Sequence, residues 1–130
     1  MTAREFPNEP SSIARARRFV GAQLTDVGAD VAGEIAVMVS ELATNCVRHT
    51  VTDFAVSVET TRRTIRVEVT DRSGGFPVVR SPDSSEPTGR GLRIVQELAD
   101  SFGVSELRGS PGKTVWFEVS LEQRSAAPRR

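Results

Sequence analysis

The spacing of apolar residues changes along this chain from the period of an α-helix to that of a β-strand. Up to about residue 49, apolar side chains recur every three or four positions, as an amphipathic helix requires. In the segments FAVSV and TIRVEV they alternate with polar side chains, as in a strand with one buried face. Hairpins with helices on one face predict an α+β two-layer sandwich, with a mixed, mostly antiparallel sheet covered by helices.

The predicted order of elements is helix, helix, strand, strand, long loop, helix, strand, strand. Serines at residues 11–12 suit the N-cap of the first helix, and Asp30 suits that of a second helix that ends near His49. Residues 72–91 are rich in glycine, serine and proline and predict one long loop, with a third helix from about Gly91.

The chain divides into three predicted parts. Residues 1–10 form an N-terminal segment with two prolines, expected to be extended or an edge strand. Residues 11–122 form a single domain, and the sequence of residues 123–130 predicts a disordered tail.

Composition disfavours several classes of function. Lys and Arg together number 17 and so do Asp and Glu, so no net charge favours nucleic acid or an anionic membrane. The N-terminus has no apolar signal-peptide core and no apolar run approaches bilayer length, so we expect a cytoplasmic protein without a membrane partner. One Cys and one His make neither a disulfide nor an ordinary zinc site.

The segment ELATNCVRHT places polar groups along the flank of the second helix. Glu41 and Asn45 are four residues apart and therefore lie one turn apart on the same side. A carboxylate and an amide oxygen at that spacing could hold or orient a hydrated Mg²⁺ ion. Taken alone, an ordinary solvated helix edge is the more common explanation.

A second polar feature is VEVTDRSGGF, in which a strand pattern runs into Asp71. A carboxylate at the end of a strand can accept a hydrogen bond from an exocyclic amine, and the glycines that follow let a flat ring approach the backbone. A plain Asp-Ser-Gly turn explains the same residues without a ligand.

The third feature is PTGRGLRIV, in which Gly89 and Gly91 flank Arg90 at a predicted helix start. Unpaired backbone N–H groups and the positive end of the helix dipole can meet phosphate oxygens there. The spacing is neither a P-loop nor a dinucleotide fingerprint, and a flexible helix start is the alternative. Together, the three features offer a metal side, an adenine side and a phosphate side for ATP.

Four segments, ELATNCVRH, DRSGG, GRGL and GKTVWFEV, resemble the boxes of the GHKL or histidine-kinase-like ATP-binding domains. The resemblance is closest to small bacterial anti-sigma-factor serine/threonine kinases and stand-alone ATP-binding regulators. It covers nearly the whole chain, and the combination is specific although each box alone is not. It implies a histidine-kinase-like ATP-binding fold and a possible homodimer.

The resemblance also implies a role for each matching residue. Asn45 would bind Mg²⁺ and Asp71 the adenine amino group, while Glu41 would be the general base. The remaining predicted contacts to ATP are Arg48, Ser73, Gly75, Gly89, Arg90, Gly91, Leu92 and Thr114. Ser73 departs from the family's more common D-x-G-x-G pattern, because it stands at the first glycine.

The function implied is an ATP-dependent serine/threonine kinase that phosphorylates an anti-sigma-factor antagonist and/or sequesters a sigma factor. A catalytically silent ATP-binding module is the alternative, and a structural or nucleic-acid-binding domain is a third. His49, the only histidine, is interpreted as a helix-terminal residue favoured by the helix dipole rather than as a catalytic acid or base.

Overall fold

The computed structural model describes residues 1–72, 87–107, 109 and 111–121, with only the backbone described for residues 87–91. In the described residues it contains five strands and three helices. They are β1 (Thr2–Phe6), α1 (Ser11–Ala22), α2 (Ala29–His49), β2 (Phe54–Thr60), β3 (Thr64–Asp71), α3 (Pro87–Leu98), β4 (Ser101–Glu106) and β5 (Lys113–Ser120). The predicted disordered tail, residues 123–130, lies outside the described residues.

The strands form one sheet in the order β1-β2-β3-β5-β4, and each described pairing is antiparallel. The hairpins β2–β3 and β4–β5 supply two of the four described pairings. The strand β3 also pairs with β5, although α3 and β4 lie between them in the sequence. This confirms the α+β sandwich. The predicted mixed sheet is corrected, because the described strands contain no parallel pair.

Strict alternation of burial separates the two faces of the sheet. In β3 and β5 every second side chain is buried, and the buried set faces the helices. The core combines these with apolar side chains of the helices, among them Ile35, Met38 and Leu42 of α2. The helix α2 contacts both α1 and α3 and therefore lies in the middle of the helical layer.

The starts of all three helices differ from the prediction. No side chain caps α1 or α2, whose N-cap residues are Pro10 and Gly28, and Asp30 lies in the first turn of α2, where the dipole favours a carboxylate. The helix α3 begins at Pro87 and not near Gly91, since a proline is well suited to the first helical position.

Asn8 fastens the C-terminal end of α2 to the chain before α1. Its side-chain amide nitrogen lies 3.1 Å from the carbonyl oxygen of Cys46 and 2.9 Å from that of Thr52. It also approaches Thr50. The amide therefore joins the carbonyl of Cys46, which also accepts from the Thr50 N–H, to the carbonyl of Thr52 beyond the helix. None of the helices in the described part is long and apolar enough to cross a membrane.

Candidate functional site

The polar flank of α2 is present as the sequence predicts. Glu41 and Asn45 are partly buried one turn apart, while Arg48 and His49 are exposed in the last turn. Basic side chains at that end interact favourably with the helix dipole. Of these four residues, Glu41 and Asn45 are therefore the two whose side chains lie closer to the core.

Asp71 is the last residue of β3 and is almost completely buried. It faces the helical layer, since it continues the buried series of Ile65, Val67 and Val69. Its carboxylate oxygen Oδ2 lies 2.9 Å from Nζ of Lys113, and the two side chains are only 4% and 8% exposed. Asp71 and Lys113 are direct partners in the β3–β5 ladder.

Lys113, the partner of Asp71, is a candidate site residue that was not predicted from the sequence. It is the only lysine in the chain, whose other permanently charged basic side chains are all arginines. The sequence did contain a signal for Lys113. It is a lone lysine at the start of a strand pattern, and alternation places it on the same face as Val115 and Phe117. A long charged side chain on a buried face requires a partner.

Cys46 connects this ion pair to α2. The pKa of its thiol is raised to about 12, mainly by burial and also by the negative charge of Asp71, while the positive charge of Lys113 acts to lower it. Both charges therefore act on the turn of α2 that carries Cys46. Asn45 precedes Cys46 in that turn, so the end of β3 and the polar flank of α2 belong to one region.

Thr114 lies on the opposite face of the sheet from Asp71. Its hydroxyl oxygen is 2.7 Å from that of Thr70, its partner on β3, and both side chains are on the face away from the helices. The Thr114 side chain therefore does not face Asp71, and its predicted contact to ATP stays a prediction. The residue that β5 directs toward Asp71 is Lys113, because side chains alternate along a strand.

Gly112 allows the β4–β5 connection to approach the end of β3 closely. Its φ of +125° is one that residues with a side chain rarely adopt. A Cβ at this position would overlap the carbonyl oxygen of Asp71 and lie 2.9 Å from Cα of Arg72. A glycine here therefore fixes the start of β5, and with it Lys113, against Asp71.

The structure describes only some of the residues that the sequence predicts to contact the nucleotide near its phosphates. Gly89, Arg90 and Gly91 belong to the first turns of α3, and Ser73 and Gly75 lie outside the described residues. Leu92 is a fully buried member of the core, so its side chain packs within the protein. The predicted contact of Leu92 with ATP stays a prediction, since the structure shows only that its side chain packs in the core.

A family model described as a histidine kinase-like ATPase domain matches residues 6–119. The chain belongs to this family. The "Blue-light-activated histidine kinase 2" of Erythrobacter litoralis (strain HTCC2594) is 32% identical over 113 residues, which cover 81% of this chain and 32% of the relative. The chain thus spans about a third of the length of that protein.

A solved structure shares the fold. It is the "Histidine kinase domain from Erythrobacter litoralis EL346 blue-light activated histidine kinase", with a TM-score of 0.53 and 22% sequence identity. The similarity covers 88% of this chain and 61% of that structure. The antiparallel sheet with helices on one face is therefore the fold of a histidine kinase-like ATPase domain, and membership of this family implies ATP binding.

The described residues fit a nucleotide with a hydrated metal ion better than a metal held by protein alone. Within the described part of the chain, no three His, Cys, Asp or Glu side chains cluster as a metal site. A histidine kinase-like ATPase domain does not need such a cluster, because Mg²⁺ usually takes one or two protein groups together with phosphate oxygens and water. Asn45 and Glu41 carry oxygen atoms of the type that binds Mg²⁺, and Asp71 carries a buried hydrogen-bond acceptor.

Proposed function

We propose that this histidine kinase-like ATPase domain binds Mg²⁺ and ATP between α2 and the end of β3, and acts as a regulatory serine/threonine kinase. Its substrate would be a serine of an anti-sigma-factor antagonist, and with nucleotide bound it would sequester a sigma factor. The supporting observation is that the buried Asp71 carboxylate lies in the same region as the turn of α2 that carries Asn45. The GRGL and GKTVWFEV segments support the same proposal.

Each part of the nucleotide has a proposed protein partner. Asp71 accepts a hydrogen bond from the amino group of adenine, and Asn45 supplies an oxygen ligand to Mg²⁺. The segment of residues 89–91 near the N-terminus of α3 is the proposed phosphate side. Because α3 begins at Pro87, the backbone N–H of Gly89 is one that has no acceptor within the helix. The bound metal and nucleotide supply the activated phosphoryl group.

Glu41 is the proposed general base. It takes the proton from the serine hydroxyl of the substrate protein while that oxygen bonds to the γ-phosphorus and ADP leaves. Its position one turn from Asn45 places a carboxylate beside the proposed metal. Arg48, exposed in the last turn of α2, adds a cation that can pair with a phosphate.

The decisive experiment separates serine from histidine as the phosphate acceptor. The protein is incubated with γ-labelled ATP, Mg²⁺ and candidate antagonist proteins, and the label is tested for resistance to acid. The proposal predicts acid-stable phosphoserine that Glu41→Ala reduces by about a hundredfold or more, while Glu97→Ala, which removes an exposed carboxylate of α3, leaves it unchanged. Acid-labile phosphohistidine on a partner would contradict the serine kinase.

A catalytically silent ATP-binding module is the second candidate. Among the described residues, no hydrogen bond or ion pair fixes the Glu41 carboxylate, which favours a site that binds nucleotide without rapid transfer. In that case ATP changes the surface that a partner protein meets. This candidate predicts ATP-dependent binding of a partner that is equal for the wild type and Glu41→Ala, with no labelled protein.

A further inference from the structure

Asp71 and Lys113 place a hydrogen-bond acceptor and a cationic donor side by side on the helix-covered face of the sheet. They are opposite each other in the β3–β5 ladder, and Nζ of Lys113 lies 2.9 Å from Oδ2 of Asp71. With side chains 8% and 4% exposed, both are held by the surrounding core and by the close approach at Gly112. The two groups therefore form one fixed recognition element.

Stability alone does not explain a buried pair of this kind. An ion pair in a protein interior is often no more stabilising than two apolar side chains of similar size, because both charges lose their hydration. Lys113 is also the single lysine of a chain that otherwise uses arginine for its permanently charged basic side chains. An ammonium group differs from a guanidinium in being compact, with three donors on one atom, so it can bond Asp71 and retain donors for a ligand.

We infer that Lys113 is a specificity-determining residue of the base site, which donates a hydrogen bond to the ring nitrogen N1 of adenine. This inference rests on the proposed ATP binding. Adenine presents its amino group and N1 as adjacent donor and acceptor, and Asp71 and Lys113 present the complementary acceptor and donor. The second contact therefore comes from a charged lysine one residue before Thr114, the residue that the sequence had suggested.

The same arrangement disfavours 6-oxopurines. In the placement that suits adenine, guanine or hypoxanthine would direct its O6 oxygen at the Asp71 carboxylate and its N1–H at the Lys113 ammonium. Acceptor then meets acceptor and donor meets donor, which is a repulsive element as well as a lost attraction. The ion pair thus accounts for a preference for ATP over GTP or ITP without any contact from the phosphate side.

The experiment compares ATP with 1-deaza-ATP, in which N1 is replaced by C–H, by titration calorimetry in the presence of Mg²⁺. We expect the wild type to bind 1-deaza-ATP about tenfold or more weakly, because one charge-assisted hydrogen bond is lost. Lys113→Met should weaken ATP binding by a similar factor and should bind the two nucleotides equally. Lys113→Arg, which keeps the charge, should retain part of the discrimination.

The unique lysine gives a second readout that does not depend on catalysis. Acylation of Lys113 by an amine-reactive reagent can be followed by mass spectrometry, with the exposed Met1 amino group as internal control. ATP should slow acylation of Lys113 several-fold more than 1-deaza-ATP does, while acylation of Met1 stays constant.

Failure of this inference differs from failure of the proposed function. Equal affinity of the wild type for ATP and 1-deaza-ATP refutes the contact to N1 while leaving ATP binding intact. Tighter ATP binding by Lys113→Met also refutes it, because Lys113 would then compete with the base for Asp71. A wild type that binds neither nucleotide refutes both. The comparison of the two nucleotides uses unaltered protein, so it stands even where a variant does not fold.

Discussion

Removal of one partner from the buried Asp71–Lys113 ion pair should destabilise the fold far more than removal of one partner from the exposed Arg72–Glu5 pair. Lys113→Met leaves the Asp71 carboxylate, 4% exposed, without its cation. Breaking a buried pair in this way costs about 3–5 kcal/mol, because the remaining charge stays out of water. That is a large share of the 5–15 kcal/mol that typically stabilises a domain.

The matched control lies at the next position of the chain. Arg72 pairs with Glu5 at 3.4 Å, but their side chains are 67% and 57% exposed. Arg72→Ala should therefore change the free energy of unfolding by less than about 1 kcal/mol. Replacing both buried charges, in Lys113→Met with Asp71→Leu, should recover most of the loss, since two apolar groups can pack where the pair lies.

Urea unfolding followed by fluorescence of the single Trp116 measures these free energies. Trp116 lies on the outer face of β5, with the Arg66 guanidinium 4.1 Å from its ring centroid, so it reports loss of the sheet without touching the ion pair. The reasoning is refuted if Lys113→Met and Arg72→Ala destabilise the protein equally, or if the double variant is no more stable than Lys113→Met.

Three further predictions concern the residues around the site. The thiol pKa of Cys46 is raised from 9.0 to about 12 by burial, so between these pH values the unfolded chain releases a proton that the folded chain retains. Unfolding free energy should then fall by up to about 1.4 kcal/mol per pH unit above pH 9, and Cys46→Ala should lack this contribution. Asn8→Ala should lower the free energy of unfolding in urea by about 1–3 kcal/mol. Asn8→Asp should lower it more, because a carboxylate cannot donate to the carbonyl of Cys46. Equal losses for the two variants would contradict the capping role. Gly112→Ala should cost about 1–3 kcal/mol or more, since its φ and the overlap with Asp71 both disfavour a side chain, and an unchanged melting temperature would show that the connection adapts freely.

The sequence predicted the layers of the fold because each period matched one kind of element. The helical period ends at His49, where α2 ends, and strict alternation in β3 and β5 fixes which side chains meet the core. The helix starts were less predictable, because a serine suited to an N-cap can bond to another nearby group instead. The Ser12 hydroxyl donates to the Pro7 carbonyl oxygen at 2.7 Å instead of capping α1.

The site was predictable where it depends on one element and not where it depends on register. The spacing of Glu41 and Asn45 follows from helix geometry alone. The choice between Lys113 and Thr114 depends on which residue of β5 faces Asp71, and a shift of one residue reverses every side chain. A family motif indicated the strand, but only the pairing of β3 with β5 shows that Lys113 faces Asp71.

Titration of the protein with ATP, with and without Mg²⁺, is the most direct test of the proposed nucleotide site. We expect saturable binding that Mg²⁺ strengthens, and that Asp71→Asn and Asn45→Ala each weaken by about 1–3 kcal/mol. The exposed variant Arg72→Ala serves as the control and should bind as the wild type does. Absence of saturable binding, or equal affinity in the wild type and both site variants, would contradict a nucleotide site between α2 and the end of β3.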